Sequence, residues 1–166
     1  MTTTILTIGH SRHTAEHFVS LLRANAIERV VDVRSHPAST WAPQFGKAVF
    51  AQTLAAQAVE YAFLGRELGG RPQGAEFYGR DGAVDYERRA QAPDFNAGLE
   101  RLVALARERR TAIMCAEEDP ARCHRRLLIT PALGRAGLTV IHLRGDGRLE
   151  PEAAAPPASP QLGLFR

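Results

Sequence analysis

The chain is 166 residues long, which fits one domain, and 45% of it is hydrophobic, enough to build a core and to exclude a globally disordered protein. Its net charge is +3, and every one of its 21 basic residues except Lys47 is an arginine. Guanidinium forks suit phosphate and carboxylate, although a base composition that favours arginine codons produces the same excess.

No apolar run approaches the roughly 18 residues that cross a bilayer, so no membrane segment is expected. "MTTTILTIGHS" lacks the basic and long apolar regions of a secretory signal and reads as a first strand, so a cytoplasmic protein is expected. Stable disulfides are rare in that compartment.

In chain order, "TILTIGHS" is a short apolar run that ends in glycine and polar residues, a buried strand. Thr14 caps a helix through "AEHFVSLLRANAI", where Phe18, Leu21, Leu22 and Ala26 share a face. "ERVVDVRSHP" is a second strand, stopped by Pro37, and "GKAVFAQTLAAQA" is a helix. "VEYAFLGRELGGRP" runs from a third strand into a glycine-rich loop, and residues 70–93 read as a long loop with one short helix. Asp94 caps "FNAGLERLVALARERR", and "TAIMCAE" is a fourth strand. Asp119 and Pro120 signal the start of a helix through "ARCHRRLLITPALGRAG", which Pro131 should kink or end. "LTVIHLRG" is a fifth strand.

This alternation predicts a single three-layer α/β domain over residues 1–149, with a mostly parallel, roughly five-stranded sheet flanked by helices. Residues 150–166, beginning "EPEAAAPPASP", read as a flexible tail.

Open parallel sheets bind ligands beyond the carboxyl ends of their strands. The residues there are Gly9-His10-Ser11, Asp32-Val33-Arg34, Leu68-Gly69-Gly70-Arg71, Cys115-Ala116-Glu117-Glu118, and His142 with Arg144. A helix opening at Asp119 offers free N–H groups and a positive dipole end to an anion, with Arg122, Arg125 and Arg126 close by. Cys123 near that end would have a lowered thiol pKa. Successive helix residues project about 100° apart, so Cys123, His124 and Arg125 cannot all face one ligand.

"MCAEEDPARCHRRLL", residues 114–128, holds both cysteines and supports several readings. A disulfide is disfavoured by the compartment. Cys115, Cys123, His124 and His10 do not match a standard zinc spacing, so neither metal nor cofactor is expected. Cys123 as a catalytic thiolate, Glu117 as an acid/base beside an anion-clamping Arg125, and a purely structural strand end all stay open. His10 and Ser11 either cap a loop or enter the chemistry. Arg34 either pairs with Asp32 or faces a ligand. Gly69 and Gly70 serve turn geometry or a phosphate, and the chain has neither a G-x-G-x-x-G nor a Walker sequence. Trp41 and Phe45 in "TWAPQF" either stack on a base or fold back on the core.

"TIGHS" at 7–11, "DVRSHPAS" at 32–39, "FLGRELGGRP" at 63–72 and "MCAEEDPARCHRRLL" together resemble the bacterial and archaeal family catalogued as domain of unknown function 488, over residues 5–145. The resemblance implies an α/β fold and a shared polar site that includes Gly9, His10, Ser11, Asp32, Arg34, Pro37, Ser39, Leu68, Gly69, Gly70, Cys115, Glu117, Cys123, His124 and Arg125. Family members often carry a basic residue after the position of Ser39; Thr40 stands there, which weakens an anion role for that loop.

The site residues expected are therefore Glu117, His10 and Cys123 for catalysis, with Ser11, Arg34, Ser39, Gly69, Gly70, His124 and Arg125 on the substrate. The function expected is an enzyme acting on nucleic acid or a nucleotide. The alternatives are a small-molecule enzyme using Cys123 as its thiol, and a non-catalytic binding module. The last six residues, "QLGLFR", resemble the peptide by which bacterial replication and repair proteins dock on the DNA sliding clamp. Gln161, Leu162, Leu164 and Phe165 match that peptide, which makes the clamp an expected partner and links the protein to DNA repair or replication.

Overall fold

The computed structural model describes residues 1–153. One six-stranded sheet organises them, in the order β3-β2-β4-β1-β5-β6. The strands are β1 (Thr4–Gly9), β2 (Arg29–Asp32), β3 (Glu60–Phe63), β4 (Thr111–Cys115), β5 (Thr139–Leu143) and β6 (Leu149–Pro151). The first five are parallel, and β6 pairs antiparallel with β5. The α/β architecture expected from the alternation is present, with one strand more than expected. β6 lies past the last apolar run and is only three residues long, so no hydrophobic pattern announces it. Its Pro151 suits an edge, where a missing N–H costs no ladder bond.

A parallel sheet buries both faces, and so its strands read as continuous apolar runs. Along β1, β2 and β4 alternate residues part to two cores. Leu6, Ile8, Val30, Ala112 and Met114 meet Phe18 and Leu22 of α1 (Ala15–Ala24) and Phe50 and Leu54 of α2 (Lys47–Ala55). Ile5, Val31, Ile113 and Cys115 meet the other face. Short helices α3 (Gly65–Leu68) and α4 (Tyr86–Ala90) precede α5 (Pro93–Glu108), and α6 (Thr130–Arg135) ends the series. Phe95 and Leu102 of α5, with Ala132 and Leu133 of α6, close this second core. Thr14 caps α1 by accepting from the His17 amide at 3.0 Å.

Two helix starts differ from expectation. α5 begins at Pro93 with Ala92 as its cap, while Asp94 sits in the first turn and pairs with the buried Arg89 at 2.8 Å. Pro93 at the first helical position has no N–H to leave unsatisfied, so a side-chain cap is dispensable.

Asp119 caps only a three-residue 3-10 turn, Pro120–Arg122, and Cys123 returns to extended backbone. The helical run starts after it, with the Cys123 carbonyl accepting from the Arg126 and Leu127 amides. Residues Arg125–Ile129 form a wide π-type turn before α6. Pro131 accounts for that width. It cannot donate to Leu127 and its ring crowds that carbonyl, so the turn before it opens. Thr130 returns both its amide and its hydroxyl to the Arg125 carbonyl, the hydroxyl at 2.7 Å. Pro131 thus neither ends the helix nor kinks its middle; it sits in the first turn of α6.

Candidate functional site

The carboxyl ends of β1, β2 and β4 align at one sheet edge, where Gly9 stands beside Cys115 and Asp32 beside Met114. A cleft of about 580 Å³ opens there. Arg34, Ser35 and His36 after β2, Cys115 to Glu117 after β4, and Arg122, Cys123 and His124 at the helix start line it. The segment between α3 and α5 supplies the opposite wall through Gly70, Arg71, Tyr78 and Tyr86. Tyr78 and Val84 bridge across a small hairpin, and the Tyr78 hydroxyl donates to the Pro72 carbonyl at 2.7 Å, which fixes that wall. Arg71 and Arg122, expected at the strand ends and the helix start, are in this lining, whereas nothing in the sequence pointed to Tyr78 and Tyr86. The two tyrosines lie in a polar segment whose direction only tertiary contacts decide.

Arg34 is tied down from two sides. Asp32, fully buried, accepts from its Nε at 2.9 Å and its Nη2 at 2.7 Å. Tyr61 donates to the same carboxylate at 2.6 Å. Burial, followed by the hydrogen bond to Asp32, pushes the Tyr61 phenol far above its ordinary value. Behind Arg34 lies His10, only 3% exposed and stacked on Phe45. Its Nδ1 donates to the Ser11 carbonyl at 2.8 Å, and its Nε2 accepts from Arg34 at 3.2 Å. Burial depresses its pKa from 6.5 to about 4, so the ring is neutral. With both nitrogens engaged, His10 reaches Arg34 and not the cleft. Ser11 adopts φ 45°, and its amide donates to the Ala116 carbonyl at 2.9 Å, which ties the loops after β1 and β4 together.

Arg125 was expected to grip an anion, and its side chain instead turns into the protein and is fully buried. Its guanidinium donates to the Glu117 carbonyl, to the Glu118 carbonyl at 2.8 Å, to Cys115 Sγ at 2.7 Å and to Thr7 Oγ1 at 3.2 Å. A relay continues behind it. Thr7 donates to His142 Nδ1 at 2.7 Å, and His142 Nε2 donates to Glu152 at 2.8 Å. Among the described residues, no carboxylate forms an ion pair with Arg125. Glu118 spends its carboxylate on Arg144, whose guanidinium holds its pKa at about 2.

The cation therefore faces the two sulfurs. Cys115 and Cys123 are free, buried and 2.7 Å apart. Burial, and donation to Cys123, push the Cys115 thiol up. The Cys123 thiol is held well below its ordinary value, chiefly by the hydrogen bond from Cys115, with His124 and Arg125 adding to it. The pair thus favours the thiolate on Cys123, with Cys115 as the hydrogen-bond donor. His124 donates from Nε2 to the Val33 carbonyl at 2.9 Å, which leaves Nδ1 3.7 Å from Cys123 Sγ. An added Cβ on Gly70 would meet the His124 ring at 2.8 Å, so the glycine lets the ring keep that position. Gly69 packs directly on Ser35, which itself accepts from the Arg71 amide at 2.9 Å.

Glu117 lies exposed on the cleft wall beside the sulfurs. Ser39 is elsewhere: its hydroxyl accepts from the Trp41 and Ala42 amides and shapes that turn. Phe45 folds into the core, whereas Trp41 is 78% exposed with the Arg12 guanidinium over its ring. Gln161, Leu162, Leu164 and Phe165 lie outside the described residues. Among the described residues no cluster of three or more His, Cys, Asp or Glu is placed to hold a metal, and no helix is long and apolar enough to cross a membrane.

The family model described as "Domain of unknown function DUF488" matches residues 14–130. No curated protein matches the chain, and no solved structure does.

Proposed function

The chain belongs to the DUF488 family, and we propose that its cleft is the active site of an enzyme acting on nucleic acid or nucleotides. The observation that carries this reading is Arg125. A buried guanidinium without a carboxylate costs several kcal/mol unless another anion neutralises it; Arg125 touches Cys115 Sγ, and the nearby charge that answers it is the Cys123 thiolate, hydrogen-bonded to Cys115.

Cys123 serves as the nucleophile at the cleft floor. Glu117 carries a proton to and from the reacting group. Arg34, Arg71 and Arg122 line the same cleft and hold phosphate, and Tyr78, Tyr86 and His36 offer flat faces to a base. His10, Asp32 and Tyr61 position Arg34, while Arg125 holds the loop that carries Glu117 from beneath. The runner-up is a small-molecule thiol enzyme, which the cleft volume of about 580 Å³ also accommodates.

The test is turnover of nucleotides and oligonucleotides, with phosphoester cleavage and base release followed separately. Cys123→Ser and Glu117→Gln should each lower the rate about a hundredfold or more. An unchanged rate in Cys123→Ser removes the nucleophile, and turnover confined to non-nucleotide substrates selects the runner-up.

The proposed link to DNA repair or replication rests on Gln161, Leu162, Leu164 and Phe165. Full-length protein should bind sliding clamp at roughly micromolar affinity, and removal of residues 161–166 should abolish binding while residues 1–153 stay folded. Equal binding by the shortened chain removes that link.

A further inference from the structure

Cys115 and Cys123 are brought into sulfur contact by the fold of the loop between them. Cys115 ends β4, and Cys123 opens the helical run beyond a loop folded back on the strand. Arg125 pins that loop through the Glu117 and Glu118 carbonyls, and Asp119 caps the 3-10 turn inside it by accepting from the Ala121 amide at 2.9 Å. The two sulfurs sit 2.7 Å apart and both residues line the cleft. A disulfide needs about 2.05 Å between sulfurs, so the bond would form with a movement of well under an ångström. Disulfides that come and go in this way are typical of redox-sensing sites in reducing compartments.

We propose that Cys115 and Cys123 form a redox modification site, oxidised to an intramolecular disulfide by a peroxide that enters the cleft and restored by a thiol reductant. The Cys123 thiolate attacks one peroxide oxygen. The O–O bond breaks, hydroxide leaves with its electron pair, and Cys123 becomes a sulfenic acid. The Cys115 sulfur then attacks Cys123 Sγ, the S–O bond breaks, and water departs carrying the Cys115 proton. The sulfurs lose two electrons in all and the peroxide gains them. Two molecules of a thiol reductant return the electrons through a mixed disulfide. Oxidation removes the thiolate that faces Arg125, so the oxidised protein is inactive; that consequence rests on the reading of Cys123 as nucleophile, and the disulfide does not.

The test exposes the full-length protein to hydrogen peroxide, denatures it, counts thiols with a maleimide and maps peptides without reduction. Both thiols should disappear together, with one linked peptide pair joining Cys115 to Cys123, and both should return after dithiothreitol. In Cys115→Ser, Cys123 has no resolving partner and should pass on to sulfinic acid that dithiothreitol does not reverse. Two thiols still free after treatment that oxidises free cysteine, or wild-type Cys123 over-oxidised while Cys115 stays free, would overturn the proposal. A linked pair found alongside full turnover in Cys123→Ser keeps the redox site and removes the nucleophile. Turnover lost in Cys123→Ser without any linked pair does the reverse.

Discussion

At the scale of single residues, the site is built from groups whose usual ionisation is displaced. His10 titrates near 6.5 in an unfolded chain and near 4 in the fold, because burial disfavours the imidazolium. Between those values the unfolded state binds the proton and the native state does not, so stability must fall as pH drops from about 6.5 to about 4. The contribution reaches about 3 kcal/mol. His13 and His142 are shifted the same way, also chiefly by burial, and add to the slope. Urea unfolding across this range should show that slope, and His10→Gln should reduce it; a flat wild-type profile would contradict the buried neutral ring. Arg125 gives a second expectation at this scale. Arg125→Met leaves the Glu117 and Glu118 carbonyls without their donor and should cost about 3–5 kcal/mol in the same unfolding measurement. A loss below about 1 kcal/mol would mean that the guanidinium holds nothing in place. The inward turn of Arg125 was not legible in "RCHRR". Spacing along a helix shows that neighbours diverge, and only the packed surroundings decide which of them turns inward.

At the scale of elements, the strands were legible because a parallel sheet is buried on both faces and writes itself as apolar runs. The α1 cap was legible for an equally local reason, a threonine before an amphipathic run. The start of the helix after β4 was not. Asp119-Pro120 is a valid start signal, but a 3-10 turn satisfies it, and the π-type turn imposed near Pro131 involves residues that lie downstream of any local cap. The cleft wall from residues 70–93 was invisible because polar loops carry no period that points them anywhere. Gly9 couples two of these elements, since a Cβ there would strike the Glu117 carbonyl and approach Glu118 Cα to 2.8 Å. Gly9→Ala should displace the loop after β4, destabilise the fold by about 1–3 kcal/mol and slow alkylation of Cys123. Thr14→Ala should cost about 1 kcal/mol through the lost cap and leave that alkylation unchanged. Equal reactivity in the two variants would separate Gly9 from the site.

At the scale of the whole molecule, the sheet turns scattered motifs into one site. Strand-end positions put His10, Arg34 and Glu117 together; the cleft holds Arg34 and Glu117, with Cys123 joining them from the helix start. Those positions could not show depth, which sets His10 and Arg125 behind the lining, nor the way β6 brings Glu152 to His142 from a stretch that reads as tail. The central claim is that this arrangement keeps Cys123 as a thiolate at neutral pH. The direct measurement is the rate of Cys123 alkylation in the reduced full-length protein across a pH series, read peptide by peptide so that Cys115 is counted apart. The account predicts a rate that has already reached its plateau below neutral pH, with Cys115 unreactive in the native fold. A Cys123 rate that climbs through about pH 8.5, as a free thiol does, would contradict it.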